Sequence, residues 1–366
     1  MRATLVILVV AVAIVAALGL LSAMQPSEPR QIRMATMWLD NLTEGYLRDT
    51  VREMGEVGAN TIAVKVHNDN VILFETDSVD MEMVDAMSIV IDEARKNNLS
   101  VFAWTDTLHF PEMIDSRPGW EFITCLRDGE YYYPTPCGWH QRISPFSPGI
   151  EDFIRDYYHD LASLDIDGIQ FQDDLFLAVG EDFSDGAQQE YLRRYGWFDE
   201  DDPEDWKRMQ EMKTERVTEI VRTAVEAARE VNPDLVFVFD VLPEPDSQKM
   251  VDYWGIDTKE IVDAGVDYIG LMSYHRQVME EHELGIEDAM DLLNSAFTSI
   301  SSQVSREKVI YRIWTSTFDY DHGPVPRDEI SYVMGRMLEA GAYHIGYIPH
   351  YPYIFNYELF VEPEGE

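Results

Sequence analysis

The sequence predicts an α/β fold, a single-domain (β/α)8 TIM barrel preceded by an N-terminal membrane-spanning segment. Apolar runs of strand length alternate with amphipathic helical patterns along almost the whole chain, and eight such runs are present. The 366 residues suit one large barrel, and an apolar content of 46% is ample for its core. Eight parallel strands that alternate with helices are the number that closes such a barrel.

The chain begins with an apolar segment. Arg2 precedes an almost unbroken apolar run over residues 3–21, and about 17 to 25 apolar residues are enough to cross a bilayer as a helix. A cleaved signal peptide has a shorter apolar core of about 7 to 15 residues, so the length favours an anchor. We interpret residues 1–24 as a signal anchor or signal peptide, residues 25–31 as a linker and residues 32–360 as the barrel. The protein is therefore expected to be extracytoplasmic, either membrane-anchored by this N-terminal helix or secreted.

The charge balance restricts the partners of the body. The chain carries 68 Asp and Glu against 28 Lys and Arg, a formal net charge of -40. Such a surface repels nucleic acid and anionic membranes, whereas a cationic glycan suits it. The acids are spread along the whole chain, which is typical of a surface adapted to high salt. An ordinary acidic secreted protein is the alternative.

The elements follow one another in a regular order. The predicted strands cover residues 32–38, 61–67, 100–106, 167–173, 235–240, 267–274, 309–316 and 343–349. The clearest helical patterns cover residues 84–98, 216–232 and 327–341. Two connections are long, residues 107–150 after the third strand and residues 175–205 after the fourth. Both follow carboxyl ends of strands, where barrel loops build active sites, so we expect both to be functional.

The fourth strand, in the stretch DGIQFQDDLF, ends in two adjacent carboxylates, Asp173 and Asp174. Successive side chains of a strand face opposite sides, and its apolar residues suit the layer beneath the helices. The alternate residues Gln170, Gln172 and Asp174 are therefore predicted to face the lumen. Asp173 is predicted to lie at the rim. The alternative is structural, with one carboxylate capping the following turn and the other paired with an arginine.

The same alternation predicts counter-charges and aromatic surfaces in the lumen. We expect Lys65 and Arg312 to be counter-charges of Asp174, with structural ion pairing as the alternative. Aromatic residues crowd this edge of the barrel, and flat apolar faces with a polar rim suit sugar rings. The candidate substrate-binding residues are Lys65, His67, Trp104, Asp106, Trp139, Asp240, Tyr274, His275, Arg312, Trp314, His350 and Tyr351.

The two cysteines, Cys125 and Cys137, lie in a segment without helical periodicity. In an oxidising compartment they could form a disulfide, and two free buried thiols are the alternative. Their spacing fits no zinc signature, and no histidine spacing demands a metal. The sequence thus indicates neither a metal nor a cofactor, and it leaves the oligomeric state open.

Four stretches carry a resemblance to a known family: VFAWTDTLHF (101–110), QRISPFSPGI (141–150), DGIQFQDDLF and GYIPHYP (346–352). Together they resemble the C-terminal glycoside hydrolase domain of bacterial poly-β-1,6-N-acetylglucosamine deacetylases, which process biofilm exopolysaccharide. The resemblance implies a (β/α)8 barrel with an electronegative cleft that cleaves partly deacetylated β-1,6-linked glucosamine polymers. It also implies that Asp173 and Asp174 lie in the catalytic centre.

Three positions depart from the family pattern. Gln172 stands where the family has a histidine before the aspartate pair, Arg312 stands where its seventh strand has a glutamate, and His350 with Tyr351 replaces a closing aspartate pair. The charge reversal at Arg312 leaves open a different substrate or a lost activity. The family's deacetylase half is not found, so deacetylation is not expected.

We hypothesise that the protein is a glycoside hydrolase in which Asp174 is the general acid and Asp173 orients the substrate. A 2-acetamido group of the sugar could then replace a protein nucleophile. If a second carboxylate acts instead, Asp106, Asp240 and Asp319 are the candidates at strand ends, and retaining and inverting outcomes both stay open. The alternatives are a membrane-anchored, non-catalytic glycan-binding barrel and a hydrolase of a different glycan.

Overall fold

A computed structural model of the chain describes residues 31–38, 41–67, 71–127, 130–132, 141–316 and 323–348. The segment predicted to be an anchor or signal peptide, residues 1–24, lies outside these ranges. Within them, no helix is both long enough and apolar enough to cross a membrane. The division of the chain into anchor, linker and barrel stays a prediction.

Eight parallel strands of the described chain close into a barrel. They are β1 (Arg33–Met37), β2 (Thr61–Lys65), β3 (Ser100–Thr105), β4 (Gly168–Phe171), β5 (Val236–Val241), β6 (Tyr268–Ser273), β7 (Val309–Trp314) and β8 (His344–Ile348). Each strand pairs with its neighbours in chain order, and β1 closes the barrel on β8 with Ala35 opposite Tyr347. The predicted (β/α)8 barrel and the positions of its eight strands are confirmed.

Helices follow the strands around the outside of the sheet. They are α1 (Glu44–Glu56), α2 (Met87–Lys96), α3 (Ile150–Ala162), α4 (Asp185–Tyr195), α5 (Pro203–Val231), α6 (Ser247–Asp252), α7 (Thr258–Asp263), α8 (His275–Glu281), α9 (Ile286–Val304) and α10 (Arg327–Glu339). The helical pattern predicted over residues 216–232 is only the second half of α5. Asp202 caps this helix by accepting the N–H of Glu204, and Pro203 occupies its first position, a combination that starts helices.

The two long connections carry secondary structure of their own. The connection predicted over residues 175–205 contains α4, which begins where the Ser184 side chain accepts the N–H of Ala187. The connection over residues 107–150 contains a short antiparallel pair, Cys125–Arg127 with Glu130–Tyr132. Cys125 is disulfide-bonded, and Cys137 lies outside the described residues.

Strand side chains divide by alternation between two buried apolar clusters. In β1 and β2, Ala35 and Ile62 belong to the large cluster that contains the helix side chains. Their neighbours Met34 and Ala63 belong to a separate, smaller cluster formed mainly by strand residues. The smaller cluster is the filling of the lumen, and the predicted alternation is therefore correct along the strands.

Gly168 opens β4 at a crowded level of the lumen. A Cβ atom there would lie 2.5 Å from the backbone oxygen of Val236 and 2.8 Å from the Phe102 ring. Because Gly168 and Val236 are partners in the β4–β5 register, the strands cannot separate without losing hydrogen bonds. We expect Gly168→Ala to lower the free energy of unfolding by about 1–3 kcal/mol. Urea unfolding measures this against the control Gly45→Ala, whose new Cβ has nothing within 4 Å; equal stability of the two variants would contradict it.

Candidate active site

A cavity of about 850 Å³ opens at the carboxyl ends of the barrel strands. Every strand contributes its last residue, or the residue directly after it, to the cavity wall. These residues are Trp38, Lys65, Asp106, Gln172, Leu242, Tyr274, Trp314 and Ile348. Active sites of such barrels are built at this end, so the cavity is the candidate active site.

The cavity brings together most of the site residues predicted from the sequence. Those in its wall are Lys65, His67, Trp104, Asp106, Asp173, Asp240, Tyr274 and Trp314. Three described candidates, Asp174, His275 and Arg312, do not line it. The remaining candidates lie outside the described residues: Trp139, His350, Tyr351 and, as a second carboxylate, Asp319.

Asp173 lies in the cavity wall directly after β4. The strand ends at Phe171, and a 3₁₀ turn, Asp173–Leu175, follows. The Asp173 side chain is buried, with an exposure of 5%, and its Oδ1 atom has no hydrogen-bond partner within the described chain. Burial raises the pKa of Asp173 to about 8, and the neighbouring carboxylates add to this effect. Asp173 therefore carries its proton at neutral pH.

Asp174 is fully buried behind the cavity wall. Its Oδ2 atom accepts three consecutive backbone N–H groups, those of Thr107 at 2.7 Å, Leu108 at 2.5 Å and His109 at 2.9 Å. The prediction that Asp174 faces the lumen is wrong, whereas Asp173 lies at the strand end in the cavity wall, as predicted. Strand alternation stops at Phe171, and a 3₁₀ turn rotates side chains with about three residues per turn.

The surroundings of Asp174 give it a lower pKa than that of Asp173. Burial and the nearby Asp106 charge raise the pKa of Asp174 to about 6, while the three backbone N–H groups hold it down. Hydrogen bonds from N–H groups stabilise the charged form of a carboxylate. Asp174 therefore ionises more readily than Asp173, and its charge ties the chain after β3 to the chain after β4.

Asp106 is the anionic carboxylate of the cavity wall. Its Oδ2 atom lies 2.6 Å from the Lys65 ammonium and 3.2 Å from Nε2 of His67. Burial alone would raise the pKa of Asp106, but the charges of Lys65 and His67 outweigh burial and lower it. The counter-charge that the sequence predicted between Lys65 and Asp174 is therefore made with Asp106 instead.

Arg312 lies inside the barrel below the cavity. Its guanidinium pairs with Oδ2 of Asp240, which also accepts a hydrogen bond from Gln170 Nε2 at 2.8 Å. The glycine at position 270 leaves the necessary space, because a Cβ atom there would overlap Oδ1 of Asp240. The prediction that Arg312 is a counter-charge of Asp174 is wrong, because Asp174 points to the β3 loop and Asp240 takes the pairing.

Aromatic rings cover one side of the cavity mouth. The Trp38 ring centroid lies 6.1 Å from those of both Trp104 and Trp314, and the Tyr274 centroid lies 5.0 Å from that of Trp314. Trp38 was not among the predicted site residues. It directly follows β1 with the same alternation as Met34, so the pattern used for the other strands would have identified it.

Residues 70–348 match the profile of the hypothetical glycosyl hydrolase family 13. The chain belongs to this family. The match covers more than half of the chain and most of the barrel, and it confirms the predicted hydrolase class. No curated protein matches the chain.

Several solved structures share the barrel fold of this chain. The PgaB (BpsB) glycoside hydrolase domain of Bordetella bronchiseptica is similar with a TM-score of 0.76 and 18% identity, over 90% of this chain and 97% of that domain. The β-galactosidase of the psychrophilic Marinomonas ef1 is similar with a TM-score of 0.64 and 10% identity, over 87% of this chain and 54% of that enzyme. The catalytic domain of the Paenibacillus polymyxa β-amylase is similar with a TM-score of 0.61 and 10% identity, over 92% of this chain and 97% of that domain. This chain thus spans about half the length of the β-galactosidase.

His275 connects two helices outside the cavity. Its Nε2 atom lies 2.8 Å from Oε1 of Glu329 on α10, and Arg276 binds the same carboxylate with two hydrogen bonds of 2.6 Å. The prediction that His275 binds substrate is therefore not supported by its position. Within the described residues, no group of three or more His, Cys, Asp or Glu could hold a metal ion.

The connection after β4 forms another wall of the cavity, and two buried basic side chains hold it. Arg142 donates to the carbonyl oxygens of Asp174 and Phe176, and its Nη2 atom lies 2.9 Å from Oε1 of Glu181. Lys213 of α5 donates to the backbone oxygen of Glu181 at 2.8 Å. The sequence prediction missed both, although Arg142 lies in the QRISPF stretch.

The Arg312–Asp240 pair provides a test of these assignments. Arg312→Met leaves a buried carboxylate without its counter-charge, so we expect the free energy of unfolding to fall by about 3–5 kcal/mol. Adding Asp240→Asn removes the stranded charge and is expected to restore much of that loss. Urea unfolding of the two single variants and the double variant measures the coupling. Additive losses would contradict a direct pair.

Proposed function

We propose that this protein is an extracytoplasmic glycoside hydrolase that cleaves an amino-sugar polysaccharide, a partly deacetylated β-1,6-N-acetylglucosamine-type exopolysaccharide. The observation that carries the proposal is Asp173, a buried carboxyl in the cavity wall that keeps its proton at neutral pH. Cleavage of a glycosidic bond needs a proton donor for the departing oxygen, and a carboxyl with a raised pKa is the usual donor.

Asp173 is the general acid in this mechanism. Its proton passes to the glycosidic oxygen as the bond to the anomeric carbon breaks, so the leaving sugar departs as a neutral alcohol. The oxygen of a water molecule ends on the anomeric carbon, and the proton that this water releases restores the acid. The roles hypothesised from the sequence are thereby exchanged, because Asp174 uses its Oδ2 atom to hold the β3 connection. Asp174 is a positioning residue.

Asp106 is the anionic partner of Asp173. The transition state of glycoside hydrolysis carries positive charge on the sugar ring, and an ionised carboxylate in the wall stabilises that charge. Lys65 and His67 keep Asp106 ionised, while burial keeps Asp173 protonated. Two carboxyl groups whose surroundings separate their pKa values in this way are typical of an acid and its charged partner.

The lining of the cavity supports an amino sugar as the substrate. Trp38 and Trp314 offer flat faces to sugar rings, and Glu281 adds an acidic group to the wall, where Glu181 pairs with Arg142 and Glu244 with Lys249. Amines of deacetylated sugar units are cationic, and the formal net charge of -40 of the chain attracts them. The solved PgaB (BpsB) domain is a glycoside hydrolase domain with the same fold, and we transfer its class of chemistry as part of this proposal.

The non-catalytic alternative rests on the charge reversal at Arg312 and on the replacement of the closing aspartate pair by His350 and Tyr351, which lie outside the described residues. The guanidinium pairs with Asp240 and does not line the cavity. The reversal therefore leaves Asp106 and Asp173 in the wall, and the hydrolase is the better supported function. The location outside the cytoplasm, with an N-terminal anchor or signal peptide, belongs to the same proposal, as does the adaptation of the acidic surface to high salt.

Replacing the proposed acid tests the reaction. We expect the full chain, extracted in detergent, to shorten partly deacetylated β-1,6-glucosamine oligomers, and Asp173→Asn to slow this by about 100-fold to 10,000-fold because the leaving oxygen lacks its proton donor. Mass spectrometry of the products follows chain length. Asp77→Asn, a change at an exposed aspartate, is the control for loss of one carboxylate.

The outcomes separate the alternatives. Shortened oligomers from the parent and the control, with little from Asp173→Asn, support the mechanism. Equal activity of Asp173→Asn would contradict the assignment of the acid. A folded parent that binds these oligomers without shortening them would leave the glycan-binding barrel as the function.

The pH dependence of hydrolysis provides a second test. Because Asp173 acts in its protonated form, we expect kcat/KM to fall as the pH rises through about 8. On the acid side the rate should first fall as Asp174, whose charge holds the β3 connection, gains a proton near pH 6. A further fall should follow when Asp106 gains a proton, and this lies below the ordinary range of an aspartate because the Asp106 pKa is lowered. Initial rates across the pH range measure both limbs. A rate that is constant through the alkaline limb would contradict the role of Asp173.

A further inference from the structure

The connection between β4 and α5 carries a second cavity, which we call the Trp197 pocket. Its volume is about 480 Å³. It is lined by Phe183, Asp185, Gln188, Gln189, Leu192, Gly196, Trp197 and Phe198. None of these residues lines the candidate active site. The proposed reaction therefore gives this pocket no role.

Trp197 is the most exposed large apolar side chain of the described residues. Its exposure is 86%, and the nearby Leu192 and Tyr195 are each 41% exposed. A contiguous exposed apolar patch marks an interaction site more often than a lone exposed side chain does. The indole ring is also the largest flat face that a protein can offer to a ligand.

The backbone around Trp197 holds this ring outward on a fixed turn. Gly196 ends α4 with φ +101, a conformation that a residue with a side chain rarely adopts. The following Phe198 packs inward, with its ring centroid 5.3 Å from that of Phe183 and 5.2 Å from that of Trp206. The exposed ring is thus placed by its partly buried neighbour Phe198.

Hydrogen bonds secure the chain after the turn as well. The Trp206 indole donates to the backbone oxygen of Glu200 at 2.9 Å, and the backbone N–H of Asp199 donates to Oδ2 of Asp205 at 2.9 Å. A ligand that binds here meets a surface that is already ordered, so little conformational entropy is lost on binding.

The polar groups of the pocket identify the ligand class. Asp185, Gln188 and Gln189 line it beside the aromatic ring, and amide and carboxylate groups form paired hydrogen bonds with neighbouring hydroxyl or amine groups. The chain that follows Trp197 exposes Asp199, Glu200 and Asp201. An aromatic face bordered by amides and acids suits a sugar that carries amines.

We propose that the Trp197 pocket is a secondary binding site for the amino-sugar polymer, with one sugar ring stacked on Trp197 and its polar groups bound by Asp185 and Gln189. This inference rests on the proposed function for the identity of the polymer. The same connection reaches the active site, because Glu181 lines the main cavity and Phe183 lines this pocket. Two residues of backbone span at most about 7 Å, so the two cavities border one connection, and binding at both requires a polymer that extends beyond the main cavity.

The test measures binding apart from turnover. In the full chain with Asp173→Asn, we expect Trp197→Ala to weaken binding of high-molecular-weight, partly deacetylated β-1,6-N-acetylglucosamine polymer by about tenfold, since the stacking face is lost. Trp197→Phe keeps a flat ring and should keep most of the affinity. Leu338→Ala removes a side chain that is 45% exposed on α10 and should change nothing. Co-sedimentation with the polymer gives the bound fraction.

A second measurement uses the chain with Asp173 intact. Trp197→Ala should hydrolyse short oligomers at the parent's rate, because they fill only the main cavity, and should degrade long polymer more slowly at low polymer concentration. If Trp197→Ala degraded long polymer as fast as the parent does, with equal rates on short oligomers as well, the proposal would be overturned.

The outcomes also test the polymer-binding site separately from the proposed hydrolase activity. Binding that depends on Trp197 in a chain that hydrolyses nothing would refute the hydrolase and keep the polymer site. Hydrolysis with polymer binding unaffected by Trp197→Ala would refute the site and keep the hydrolase. If Trp197→Ala instead converts a dimer to a monomer in sedimentation velocity and leaves polymer binding unchanged, the patch is a subunit contact and the proposal is wrong.

Discussion

The tie between the ends of β3 and β4 is the interaction on which the candidate site depends. One carboxylate oxygen of Asp174 accepts three consecutive backbone N–H groups directly after Asp106. A buried N–H group without an acceptor costs about as much as a lost hydrogen bond, so three that converge on one charged oxygen fix this stretch of chain. Because Asp173 is the residue before Asp174, the same tie positions both carboxyl groups of the cavity wall.

The placement of cations then decides which carboxyl groups are charged. Lys65 contacts Asp106, whose pKa is lowered, and Arg312 contacts Asp240, where the pairing offsets part of the rise in pKa that burial causes. No ion pair within the described chain involves Asp173, and the negative charges around it disfavour a further anion. The pKa of Asp173 is thereby raised while that of Asp106 is lowered in the wall of the same cavity, and this difference comes from the surroundings because the residue type is the same.

Strand alternation made most of the site predictable, because period-two geometry places Lys65, Trp104 and Asp240 on the lumen side by spacing alone. The prediction failed where that geometry ends. At Asp173 and Asp174 a 3₁₀ turn replaces the strand, so Asp173 lines the cavity and Asp174 points to the β3 loop. Ion-pair partners were also assigned wrongly, since partners in a lumen come from different strands and depend on register, which one sequence does not contain.

The charge reversal in β7 shows why likeness of fold does not by itself carry chemistry. Arg312 stands where the resembling family has an acid, yet its charge is balanced by Asp240 in space that Gly270 leaves open. The positive charge of Arg312 is therefore balanced inside the barrel, one level below Asp106 and Asp173. A substitution at the same level as these two carboxyl groups would instead alter the protonation on which the proposed reaction depends.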